Sequence, residues 1–79
     1  MVVDKIQTKL FLQDIVEGVY GESKLNPSHI QSFLVHASDR DVIDVLTWRD
    51  KFQSNLWADP RAWMMIALEN TVKNVKKNS

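Results

Sequence analysis

The chain has 79 residues, ten basic and ten acidic side chains, no net charge at pH 7 and no cysteine. A chain of this length is expected to form one domain, 1–79, which buries only about 60–65% of its unfolded surface and is therefore marginally stable. The lack of cysteine excludes disulfides and thiolate metal sites, so association with another chain is the remaining common source of added stability.

The first predicted helix spans residues 4–20. Asp4 is a suitable N-cap, and Gln7, three residues later, can complete a capping box. Gly21 is predicted to end the helix, because glycine readily adopts the left-handed conformation found just after a helix. Gly18 lies inside this helix, at a cost of about 1 kcal/mol relative to alanine.

The second and third helices are predicted over residues 27–37 and 39–54 and are almost contiguous. Asn-Pro at 26–27 supplies an N-cap followed by proline at the first helical position, where its missing N–H costs nothing. Ser38 and Asp41 form the capping-box variant S-x-x-D. We therefore expect only a very short turn between these two helices.

The fourth helix is predicted over residues 60–75, after the boundary at Asp59. Its apolar residues span about 200° of a helical wheel, against about 100° for an ordinary surface helix. We therefore expect this helix to contact neighbours on two sides, either at the centre of the fold or by sharing its surface with a partner chain.

The starts of three helices are also marked by apolar pairs at the spacing of a hydrophobic staple. These pairs are Leu25 with Ile30, Ala37 with Val42, and Ala58 with Trp63. No stretch alternates with period two, and no Asn-Gly hairpin turn occurs. The predicted fold is all-α, a compact four-helix domain arranged as a bundle or an orthogonal array.

The core is predicted from the apolar stripes of the four helices. Truncation of Trp63 to alanine is expected to cost about 3–5 kcal/mol if this side chain is buried. The predicted core residues are Phe11, Ile15, Val19, Ile30, Phe33, Leu34, Val45, Trp48, Phe52, Trp63, Leu68 and Val72.

Several apolar residues fall outside these stripes, including Val35 on the second helix. A contiguous exposed patch of such residues would indicate an interface, whereas a compact bundle that wraps the fourth helix would bury most of them. The candidate interface residues are Ile6, Leu10, Ile43, Arg49, Trp57 and Ile66.

Arg49 falls inside the apolar arc of the third helix. Its guanidinium could pair with an anion or a partner's carboxylate, or stack on a tryptophan. The simpler interpretation, which we favour, is that the aliphatic stem covers apolar surface while the charged group reaches solvent or an acidic side chain of the same chain.

No pattern of catalytic or metal-binding residues occurs. His29 and His36 are seven residues apart, whereas a metal site on one helix normally uses i, i+4 spacing and a carboxylate. The aspartates of the third helix are spread around it and suit the positive helix end and a solvated face. No glycine-rich phosphate loop or nucleophile elbow is present. We expect neither an enzyme, nor a cofactor, nor a metal.

These observations favour a small non-catalytic interaction module that self-associates, or binds a partner protein, through apolar surface on the first and fourth helices. One alternative is a DNA-binding regulator of helix-turn-helix type, although the third helix begins with acidic residues. A second is a small inhibitor or immunity-like protein that covers a basic site on its target. The candidate nucleic-acid contacts are Lys73, Lys76 and Lys77.

The N-terminal sequence lacks the basic start and apolar run of a signal peptide. No apolar run approaches the roughly 20 residues that cross a bilayer. We therefore expect a cytoplasmic protein with no membrane partner.

Overall fold

A computed structural model describes residues 5–54 and 61–75 of the chain, which form four α-helices. No strand occurs in these two ranges, and the prediction of an all-α four-helix domain is confirmed. None of the helices described has the length and apolar character needed to cross a membrane. The helices are α1 (Lys5–Val16), α2 (Pro27–His36), α3 (Asp39–Ser54) and α4 (Arg61–Asn74).

Two helix pairs, α1 with α2 and α3 with α4, pack against each other. The main contacts between them join α1 to α3 and α2 to α4. Each helix therefore has two principal neighbours, and α1 lies diagonally across the arrangement from α4. The fourth helix does contact two neighbours, as expected, but so do the other three, and it is no more central than they are.

One core is shared by all four helices, because each contributes a fully buried side chain. These include Leu12 from α1, Phe33 from α2, Phe52 from α3 and Leu68 from α4. Leu34 and Trp48, both predicted in the core, are half-buried and pack against its edge. The other predicted core residues that are buried are Phe11, Ile15, Ile30, Val45 and Val72.

The start of α2 is fixed by the cap predicted from the sequence. The Asn26 Oδ1 accepts hydrogen bonds from the backbone N–H groups of Ser28 and His29, at 3.0 and 3.2 Å. In return the Asn26 N–H donates to the His29 Nδ1 at 3.1 Å, so a histidine completes this capping box. Pro27 occupies the first helical position, as predicted.

The start of α3 follows the predicted S-x-x-D pattern. The Asp41 carboxylate accepts a hydrogen bond from the Ser38 N–H at 2.9 Å, and the Ser38 Oγ accepts one from the Asp41 N–H at 3.3 Å. Ala37 is extended, with φ −66° and ψ 136°, so α2 ends at His36, one residue earlier than predicted. This extended residue gives the chain the turn that separates the two helices.

The staple pairs that flank these two caps are buried. They are Leu25 with Ile30 and Ala37 with Val42. The third pair includes Ala58, which lies outside the described residues, as does the predicted N-cap Asp4.

The end of α1 differs from the prediction, because Gly18 and not Gly21 terminates this helix. Gly18 has a φ of +87°, and its N–H donates to the Ile15 carbonyl at 3.1 Å. The Val19 N–H donates to the Asp14 carbonyl at 3.0 Å. These two bonds form a Schellman motif with glycine at C′, so α1 stops at Val16, before the predicted end at residue 20.

Tyr20 explains why the helix stops early. Nine helical steps would place it about 180° around α1 from Phe11, where the two rings could not meet. After the break at Gly18, the Tyr20 ring lies 5.5 Å from that of Phe11 and 5.6 Å from that of Phe52. The same break carries Val19 to the surface, so the expectation that Val19 belongs to the core does not hold.

Replacement of Gly18 by alanine is expected to destabilise the protein by about 1–2 kcal/mol, because alanine disfavours a positive φ. A Cβ added at this position meets nothing within 4 Å, so the loss would be conformational and not steric. Urea unfolding should therefore give a smaller loss for Gly18→Asn, since asparagine tolerates the left-handed region better. Equal losses for the two variants would contradict this interpretation, and Gln13→Ala within α1 is the control.

Candidate interaction surfaces

Seven large apolar side chains in the described part of the chain are exposed. Four of them form two pairs on single helices. Ile6 and Leu10, 72% and 51% exposed, form the α1 surface, and Trp63 and Ile66, 66% and 57% exposed, form the α4 surface. The other three are Val19, Val35 and Ile43.

The α1 surface lies on the side of the helix opposite the core. Ile6 and Leu10 are one turn apart and project from the same face. Thr8 and Leu12, which are fully buried, occupy the opposite face. The α1 surface is therefore a second apolar face that the four-helix packing does not cover.

Arg49 lies in the junction between α1 and α3. One of its Nη atoms donates to the Gln7 Oε1 at 3.4 Å, and its Nε lies 3.9 Å from the Asp50 carboxylate. The side chain is only 27% exposed, and its Nε is buried without a hydrogen-bond partner. The guanidinium therefore lies beside an amide and an acidic side chain of the same chain, and a role for Arg49 at an interface stays a prediction.

The α4 surface continues onto α3 through a contact between two tryptophans. The ring centroids of Trp48 and Trp63 lie 6.4 Å apart with an interplanar angle of 65°, an edge-to-face arrangement. The Lys51 ammonium group lies 4.7 Å from the centre of the Trp48 ring. Trp63 is thus held against a half-buried neighbour while most of its own surface faces solvent.

The prediction that Trp63 belongs to the core is not met. The buried face of α4 includes Met65 and Glu69, and it is turned away from Trp63 on the helical wheel. Glu69, a charged residue on this buried face, is only 7% exposed.

Glu69 is buried because it holds the connection between α1 and α2. Its Oε2 accepts a hydrogen bond from the Lys24 N–H at 2.7 Å and another from the Ser23 hydroxyl at 3.1 Å. The Ser23 Oγ in turn accepts from the Leu25 N–H at 3.1 Å. No local pattern indicates these contacts, since the partners are 45 and 46 residues apart in the sequence.

The α1 and α4 surfaces lie on different sides of the molecule, since α1 and α4 are diagonal in the packing. Ile43 lies on α3 and is less exposed than the members of either surface. Trp57, the remaining candidate interface residue, lies outside the described residues. The candidates therefore divide into at least two separate surfaces.

The polar residues considered for metal binding, catalysis or nucleic-acid binding either hold helix caps or are dispersed over the described helices. His29 and Asp41 complete helix caps. No group of three potential metal ligands occurs within the described ranges. Lys73 is exposed on α4, whereas Lys76 and Lys77 lie outside the described residues.

Comparison with protein-family models, with curated proteins and with solved structures gave no match. The interpretation of these surfaces therefore depends on their geometry and chemistry.

Trp63→Ala is expected to change the free energy of unfolding by less than about 1 kcal/mol, because most of this side chain already faces water. Phe52→Ala, by contrast, should cost about 3–5 kcal/mol, since its ring is fully buried. Urea unfolding of the two variants, followed by circular dichroism, measures the difference. A loss for Trp63→Ala as large as that for Phe52→Ala would contradict the exposed placement.

Glu69→Ala is expected to destabilise the protein by about 1–3 kcal/mol, because the substitution leaves the Lys24 N–H without its acceptor. Hydrogen exchange at the Lys24 amide should accelerate by more than the change in global stability explains. Glu17→Ala, which removes an exposed carboxylate from the same connection, is the matched control. Unchanged protection at Lys24 in the Glu69 variant would show that this hydrogen bond does not hold the connection.

Proposed function

We propose that this protein is a small non-catalytic interaction module that self-associates through an exposed apolar surface. The observation that carries this proposal is the presence of two pairs of exposed large apolar side chains, on α1 and on α4. Each pair lies on a regular helix face, where neighbouring side chains can be covered together. Clustered exposed apolar residues mark interfaces more often than single ones do.

The expected association is weak. Complete burial of one large apolar side chain contributes about 1.5–3 kcal/mol, and association costs about 4–15 kcal/mol in lost freedom and side-chain ordering. A surface with two such side chains therefore needs further contacts around it to hold a dimer. Trp48 and Lys51 lie beside the α4 surface, and Lys9 and Asp14 lie beside the α1 surface.

The two separate surfaces allow two kinds of contact between copies of the chain. A contact between the α1 surface of one copy and the α4 surface of the next would be heterologous, and it could continue indefinitely unless a ring closed. A contact of either surface with itself closes after two copies. We therefore propose a twofold dimer. We also propose a location in the cytoplasm.

The alternative of a helix-turn-helix regulator has less support. That motif packs its two helices together and presents the N-terminal end of the second to DNA. Here α2 and α3 are not among the principal packing pairs. The first turn of α3 carries Asp39 and Asp41, which would face phosphate groups. The inhibitor alternative likewise rests only on exposed aspartates spread along α3.

The mass of the protein in solution should rise from monomer toward dimer over a hundredfold range of concentration, as measured by sedimentation or light scattering. Placing a charge in the interface should abolish this rise, so Leu10→Asp and Ile66→Asp test the two surfaces separately. Val35→Asp, which adds the same charge at an exposed apolar position on α2, is the matched control. A monomer at every concentration would refute self-association.

A further inference from the structure

The exposed face of α1 has the spacing of a coiled-coil seam. Ile6, Leu10 and Gln13 follow one another at intervals of four and three residues, and all three are exposed. This is the alternation of d, a and d positions in a heptad repeat. The helix is 12 residues long, which corresponds to about 18 Å, so the seam is short.

Opposite charges flank this seam. Lys9 lies on one side, at the g position of the heptad, and Asp14 lies on the other side, at the following e position. Neither side chain makes a hydrogen bond or an ion pair with any other residue in the described part of the chain. Lys9 is exposed and Asp14 is half-buried.

These charges distinguish the two possible orientations of a helix pair. In a parallel pair, a g residue faces the e residue five positions further along the other helix, so Lys9 of each copy faces Asp14 of the other, twice by symmetry. In an antiparallel pair that aligns Ile6 with Leu10, Lys9 lies close to Lys9 of the second copy, and like charges repel.

We infer that two copies of this chain pair through α1 in parallel, with Ile6 and Leu10 in the seam and Lys9 of each copy beside Asp14 of the other. This inference rests on the proposed self-association and specifies its surface and orientation. Each copy contributes only two apolar side chains, Ile6 and Leu10, to this seam. The contact therefore belongs to the weak, concentration-dependent class of interfaces. Asp14 also lines a small pocket together with Arg49 and Gln53.

A single introduced cysteine tests the orientation, since the chain contains none. In the parallel pair, the two copies of residue 13 meet at a d position, within the 4.4–6.8 Å Cα separation that a disulfide needs. In the antiparallel pair, they lie about 15 Å apart along the helix axis. Gln13→Cys should therefore form a covalent dimer under mild oxidation, and Gln31→Cys, at an exposed position on α2, should not.

Exchange of the flanking charges tests the pairing itself. Lys9→Glu or Asp14→Lys alone should lower the dimer association constant about 5–15-fold at low salt, since each places like charges together twice. The double variant should restore the constant to within about threefold of the native value. A double variant as weak as the single variants would overturn the inference. Urea unfolding of each variant separates loss of association from loss of fold.

The outcomes separate this inference from the proposed function. A native chain that stays monomeric at every concentration refutes both. A native dimer whose Gln13→Cys variant forms no more covalent dimer than the Gln31→Cys control refutes only the parallel α1 pair. In that case self-association stands, and its surface lies elsewhere.

Discussion

A single core shared by four short helices is the constraint on which the rest of this structure depends. Each helix covers part of that core and is itself covered by two neighbours, so no helix is fully enclosed. Apolar residues beyond one face of a helix are therefore not covered by the helix packing of residues 5–54 and 61–75. Ile6, Leu10, Trp63 and Ile66 are exposed for this geometric reason.

The connection between α1 and α2 is held to the remainder of the fold at three places. Tyr20 packs on the rings of Phe11 and Phe52, Leu25 is buried, and the Glu69 carboxylate accepts hydrogen bonds from the backbone and a side chain between them. The buried face of α4 therefore includes a charged residue, Glu69. That face is turned away from Trp63, whose indole is exposed, while Glu69 holds the connection between α1 and α2.

Local chemistry made much of the fold predictable from the sequence. The starts of α2 and α3 depend on side chains within three residues of the cap, and these were identified correctly. The end of α1 was predicted at Gly21 and not at Gly18, because the choice between the two glycines depends on where Tyr20 meets Phe52. The exposure of Trp63 was missed for a similar reason, since the packing of α4 against α2 and α3 sets which side of this helix faces inward. Helical periodicity describes one helix and contains no information about such distant partners.

The distance along the chain between Glu69 and its partners has a consequence for synthesis. A ribosome adds about 5–20 residues per second, so the 45 residues between Lys24 and Glu69 take roughly 2–9 s to follow. During that interval the backbone between α1 and α2 lacks its acceptor, and α2 lacks its contacts with α4. The connection between α1 and α2 can therefore take its final form only late in synthesis, after the fourth helix has been made.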